Sequence, residues 1–129
     1  MTSVLNVDTI ADKAGTGTVT LAKQEAAKLR CRYNQATASL ENGALNVSSV
    51  SDDSTGLFTV SITSAMSDAL YSALGFAGEQ GNSNDATWLS KKNTQADYST
   101  TAVPMTTWKY NGTHVDSERD SVTVHGELA

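Results

Sequence analysis

The sequence predicts a mostly β domain, a β-sandwich or jelly-roll-like knob of about seven short strands with an extended N-terminal arm and one short helix. Three observations carry that expectation. Ser and Thr supply 32 of the 129 residues while strong helix formers are sparse, the reverse of a helical bundle. Several segments alternate apolar and polar side chains with period two, the signature of a strand with one buried face. Between them lie Gly, Asn, Asp and Ser clusters at turn-like spacing. The strict alternation also argues against disorder, which the polar composition alone would allow.

The chain divides into an arm, 1–20, and a knob, 21–129. Within the arm Val4, Leu5, Val7 and Ile10 are irregularly spaced and Asp12 to Gly17 is turn-rich, so the segment buries nothing by itself. Fixing it costs roughly 1–2 kcal/mol per residue, which an isolated strand does not recover. Its apolar residues are therefore expected to lie on another surface. Leu21 to Lys28 is the densest run of helix formers, with Thr20 in the N-cap position, and predicts the short helix.

Leu29 to Asn34 follows as a strand, with Leu29, Cys31 and Tyr33 on one face and Arg30, Arg32 and Asn34 on the other. Cys31 then reads as a small buried hydrophobe, because the flanking arginines point away from it. A hairpin comes next: Leu45, Val47 and Val50 lead into the polar turn Ser51 to Gly56, after which Phe58, Val60 and Ile62 alternate with Thr59, Ser61 and Thr63. Ser64 to Leu70 is expected to make one helical turn, and Tyr71 to Ala77 a closely packed strand. Gly78 to Asp85 reads as a loop. Further strands are expected around Trp88, from Val103 to Tyr110 with Pro104 at its start, and from Ser121 to Leu128.

Function is constrained mainly by exclusion. A net charge of −5 argues against neutralising a phosphate backbone, so no nucleic-acid partner is expected. No run approaches the roughly 18 apolar residues of a membrane span, and no membrane insertion is expected. The lone Cys31 cannot make an intrachain disulfide. Hydrolase, zinc, P-loop and dinucleotide motifs are absent, and His114 and His125 lack a third ligand at metal spacing. The stretch Asp116, Glu118, Asp120 and Glu127 imitates a calcium loop, but Ser121 stands where the sharp turn requires Gly and a strand replaces the following helix. The expectation is therefore a non-enzymatic protein with no cofactor and no metal. The sequons at Asn46 and Asn111 carry little weight without a secretory signal.

The aromatic residues suggest recognition instead. Trp88, Tyr98, Trp108 and Tyr110 all fall in the second half beside Asn, Asp and Gln side chains. A sugar ring offers apolar C–H faces and hydroxyl edges, which suit that mixture. Trp88, Tyr98 and Tyr110 are the candidate contacts, and Trp108 reads rather as a core or interface residue.

Several motifs carry a family resemblance. Val7 to Gly17, Val19-Thr20-Leu21 and Ala26-Ala27-Lys28 in the first part, Leu45 to Val50 and Phe58 to Met66 in the hairpin, and Val122 to Gly126 at the end resemble segments of tail-fibre-like and appendage proteins of marine tailed bacteriophages. The resemblance implies a virion component, a homotrimer with a β-sandwich knob. It further implies that Val4, Leu5, Val7 and Ile10 anchor the arm to other virion proteins while the knob contacts a host-surface glycan. A short tail fibre or appendage is the leading expectation. A capsid decoration protein, of cement or head-fibre type, is the alternative.

Overall fold

Alternation along the chain becomes two layers. The computed structural model describes residues 26–78, 87–91 and 97–129. Eight strands run β1 (Leu29–Asn34), β2 (Ser39–Leu40), β3 (Val47–Ser54), β4 (Leu57–Ile62), β5 (Ser72–Phe76), β6 (Thr87–Lys91), β7 (Ala102–Lys109) and β8 (Asp120–His125). They form two four-stranded antiparallel sheets in the orders β2-β1-β8-β5 and β3-β4-β7-β6. The sheets stack face to face as a β-sandwich with one strand more than expected, the extra one being the two-residue β2, too short to leave a pattern.

Each sheet turns one side of its strands toward the other. Leu29, Cys31 and Tyr33 of β1 and Val122 and Val124 of β8 meet Phe58, Val60 and Ile62 of β4 and Val103 and Met105 of β7. Tyr33 and Phe58 bridge the layers with ring centroids 5.3 Å apart. Met66 and Tyr71, from the connection between β4 and β5, complete the buried cluster. Burying a side chain such as Phe58 contributes about 2–3 kcal/mol, so this cluster carries most of the stabilisation of a sandwich whose described residues contain one buried free cysteine and no disulfide.

Three sequence expectations need correction. No helix occurs among the described residues. Residues 20–25 of the expected helix lie outside the described residues, but at its end the Lys28 N–H already bonds Val124 O at 2.8 Å, so the β ladder overrides helix propensity there. Ser64 to Leu70 makes no helical turn either: Met66 is buried and bridges Leu128, with its N–H on Thr100 O at 2.8 Å. The polar run expected as a hairpin turn belongs to β3, and the turn itself is Thr55-Gly56. Hydroxyls make that possible, since Ser51 and Thr59 donate to the two carboxylate oxygens of Asp53 at 2.9 and 2.7 Å. Leu45 stands outside β3, bridging Arg30 of the other sheet.

Gly56 closes the hairpin at φ +67°, and a Cβ there would lie 2.7 Å from Thr107 O and Val115 N and 2.8 Å from the His114 Cβ. Only glycine allows the 114–115 segment to pass so close. At the other side of the sandwich Gly75 of β5 plays the same part, because a Cβ would collide with Leu89 of β6. The two sheets are thus brought together at their β5 and β6 edges.

Candidate functional site: an aromatic row on the outer face of one sheet

Register assigns the site. Val103, Met105 and Thr107 of β7 face the interior, so Pro104, Thr106 and Trp108 lie on the face turned away from the partner sheet. Paired residues of neighbouring strands share a face. Trp88 of β6 lies opposite Trp108, and His114 bridges Trp108 from the other side. The result is a row of three rings across the sheet: Trp88, Trp108, His114. In the next row Ser90, Thr106 and Leu57 are aligned by the same ladders.

The row is held from several directions. Trp108 Nε1–H donates to Ser90 Oγ at 2.9 Å, which fixes the central indole. His114 meets it edge-on, with ring centroids 4.2 Å apart and planes at 67°. A tight turn returns the chain to that position: Lys109 N–H bonds Thr113 O at 2.8 Å, and Gly112 takes φ +80°. Asn111 Oδ1 accepts from both the Thr113 N–H and its hydroxyl, at 3.1 and 2.7 Å.

Two features mark this face as suited to binding. Trp88 is 45% exposed and Tyr110, just past the end of β7, is 66% exposed, so large aromatic surfaces remain in solvent. In the same part of the sheet, Thr106 Oγ1 and His114 Nε2 are buried without a hydrogen-bond partner. A buried polar atom left unpaired costs about 1–3 kcal/mol, and such atoms gather where a ligand or water completes the network.

Tyr98 does not join the row. It is half-buried against the core, stacked on Tyr71 with centroids 5.2 Å apart, and its hydroxyl lies 3.9 Å from Met105 Sδ. Of the three candidate contacts Tyr98 is thus set apart from Trp88 and Tyr110, one face of its ring being taken by Tyr71. Burial, and secondarily Tyr98, pushes the Tyr71 phenol up to about 12, and its oxygen sits 3.0 Å from Ser99 O and 2.9 Å from Ala102 O. Val4, Leu5, Val7 and Ile10 lie outside the described residues, as does the rest of the expected arm.

The acidic residues are used internally. Asp116 accepts the Gly56 N–H at 2.6 Å, securing the β3–β4 turn. Asp120 and Gln35 are buried between the sheets at the start of β8. Only one of the two orientations of the Gln35 amide satisfies all its neighbours: Oε1 accepts from Leu57 N–H at 3.2 Å, and Nε2 donates to Asp120 Oδ2 at 3.3 Å and Thr107 Oγ1 at 3.1 Å. The Thr107 hydroxyl is then left to face Asp120 Oδ1 at 3.5 Å. Burial pushes the Asp120 carboxyl up to about 6, partly offset by the Ser117 and Thr107 hydroxyls, with Asp116 adding to the rise. Ser117 Oγ and Tyr33 OH are buried nearby without partners of their own in hydrogen-bond geometry.

No group of three His, Cys, Asp or Glu side chains among the described residues is placed to hold a metal ion. Burial, with a smaller contribution from Asp120, raises the Cys31 thiol to about 11 against a backbone hydrogen bond at Val122, which keeps it in the unreactive form. Asn46 is also committed, since its amide bonds Ser64 O and Ser64 N–H at 3.0 and 2.6 Å.

His114, Ser90 and Thr106 were not singled out by sequence reasoning. Local spacing gives no signal for His114: a two-residue Asn-Gly turn would pair Tyr110 with Thr113 and set Val115 opposite Trp108, whereas the turn found here bonds Lys109 N–H to Thr113 O and brings His114 there instead. Comparisons with protein families, curated proteins and solved structures find no match for this chain.

Proposed function

We propose that this chain is a non-enzymatic structural protein of a phage virion, a short tail fibre or appendage, whose β-sandwich contacts a saccharide on the host surface through Trp88, Trp108 and Tyr110. The observation that carries the recognition half is the ring row itself: Trp88, Trp108 and His114 side by side across one face of a sheet, with Trp88 half-exposed. A pyranose stacks its C–H face on an indole, which the exposed face of Trp88 allows. Rigid strands suit this task because little ordering entropy remains to be lost on binding. The net charge of −5 favours a neutral or amino sugar over an acidic one.

The virion half rests on the sequence resemblance, with residues 1–20 attaching the protein to other virion components. The commitment of Asp116, Asp120 and Cys31 to the fold supports a role without catalysis. The test is adsorption of the protein to host cells with Trp88 replaced by Ala. A stacked aromatic anchor contributes on the order of 2 kcal/mol, so W88A is expected to weaken adsorption roughly 30-fold with its fold unchanged. Adsorption equal to that of the parent protein would overturn the assignment of the row.

A further inference from the structure

The chain contains two Asn-Gly pairs, Asn42-Gly43 and Asn111-Gly112. In such a pair the side-chain amide is open to attack by the next backbone nitrogen, because glycine has no side chain to hinder the approach. Attack needs two freedoms: the glycine N–H must be able to give up its proton, and the asparagine side chain must be able to swing its Cγ over that nitrogen. The two pairs share this chemistry but not their surroundings. At Asn111 both freedoms are taken. The Gly112 N–H donates to Lys109 O at 2.9 Å, and Asn111 Oδ1 accepts from the Thr113 N–H and hydroxyl at 3.1 and 2.7 Å, a side-chain turn that clamps the amide.

Asn42 has both freedoms. Its bend is pinned to β1 at the two ends, by the Glu41 N–H on Arg32 O at 2.9 Å and by Leu45, which exchanges backbone bonds with Arg30 at 2.8 and 3.1 Å. Between the pins Asn42, Gly43 and Ala44 are exposed. Among the described residues neither the Asn42 amide nor the Gly43 N–H has a hydrogen-bond partner, and nothing lies within 4 Å of where a Gly43 Cβ would stand, so a ring has room to close. The Arg30 guanidinium, which donates to Gly43 O at 3.0 Å, sets a positive charge beside the bend, and such a charge favours both loss of the Gly43 proton and the carboxylate of the product.

We propose that Asn42 is a site of spontaneous covalent modification, converted through a cyclic imide to isoaspartate and aspartate, and that Asn111 is protected from the same reaction by its turn. The Gly43 nitrogen bonds to Asn42 Cγ, the Cγ–Nδ2 bond breaks, and the displaced proton leaves with Nδ2 as ammonia. Water then opens the ring at one of its two C–N bonds, its hydroxyl going to the carbonyl carbon and its proton to the nitrogen. Opening at Cγ gives aspartate. Opening at the Asn42 main-chain carbonyl gives isoaspartate, in which the backbone runs through Cβ and Cγ and the bend between the two pins gains a methylene. Either product adds one negative charge to a chain already at −5. Asn42 is pinned to the sheet that does not carry the aromatic row, so this chemistry is independent of the saccharide reading.

The test is ageing of the full chain at mildly alkaline pH, once folded and once in urea, with samples digested and the exchange of NH2 for OH located by tandem mass spectrometry. Breaking the Gly112 hydrogen bond and releasing the Asn111 amide slow attack there, so in the folded chain Asn42 is expected to convert at least about tenfold faster than Asn111. In urea the turn is gone and the two identical pairs are expected to convert at similar rates. Asn111 converting as fast as Asn42 in the folded chain, Asn42 staying intact there while it converts in urea, or the same rate ratio persisting in urea would overturn the proposal.

Discussion

Replacing Asp120 by Asn should make the protein more stable at neutral pH and remove most of its stability change between pH 4 and 7. Asp120 is fully buried, and its folded-state carboxyl titrates near 6 where an ordinary aspartate titrates at 3.8. Between those values the folded chain holds a proton that the unfolded chain has lost, so stability falls as pH rises through that window. The separation of roughly two units corresponds to about 3 kcal/mol at about 1.36 kcal/mol per unit. The contribution is fully present below pH 3.8 and is lost above about 6. Asn keeps an acceptor for Gln35 Nε2 and sets its amide beside Thr107 and Ser117, so the network survives without the buried charge. The assay is thermal or urea unfolding of parent and variant across pH 4 to 8. At roughly 3–5 °C per kcal/mol, D120N should melt several degrees higher than the parent at pH 7 and coincide with it near pH 4. Asp52, also raised by burial and by Asp116 and Asp53, titrates with the same sign in both proteins and drops out of the difference. A parent that gains stability from pH 4 to 7, or a variant with the parent's slope, would refute the reasoning.

Gly56→Ala forces a side chain into a left-handed turn and against Thr107 O, Val115 N and His114, which should cost about 2–4 kcal/mol in denaturant unfolding. Phe58→Ala leaves a cavity beside Tyr33 between the sheets and should cost about 3–5 kcal/mol by the same measurement. Cys31, buried with its thiol raised to about 11, should resist alkylation at pH 8 in the folded protein and react fully in urea, and rapid labelling without denaturant would contradict its placement.

The strands legible in the sequence are those with one face in the core. β1 runs over the residues its alternation indicates, and β4 and β8 likewise bury every second side chain. Only the first half of β3 was legible, through Val47 and Val50; its second half is wholly exposed, which leaves no period in the sequence and makes Ser51 to Ser54 look like a turn. Helix propensity misled at Lys28, where pairing with β8 supplies a hydrogen bond that propensity cannot weigh. Trp88 and Tyr110 were legible as candidates from residue type alone, and Tyr98 was indistinguishable from them until Tyr71, distant in sequence, was seen to cover it. Gln35 was invisible for the same reason: its partners Asp120, Thr107 and Leu57 come together only when the two sheets stack. Type and local spacing are written in the sequence, whereas which face a loop residue turns to the core is decided by long-range packing.

The most direct test of the recognition surface is a titration of the ¹⁵N-labelled protein with polysaccharide purified from the host surface, followed by nuclear magnetic resonance. The chain has two tryptophans, so the spectrum holds two indole N–H signals, assigned by Trp88→Phe. The account predicts that both signals shift together and saturate, along with backbone signals of β6, β7 and His114. Saturable binding that leaves both indoles unmoved and shifts residues elsewhere would contradict it.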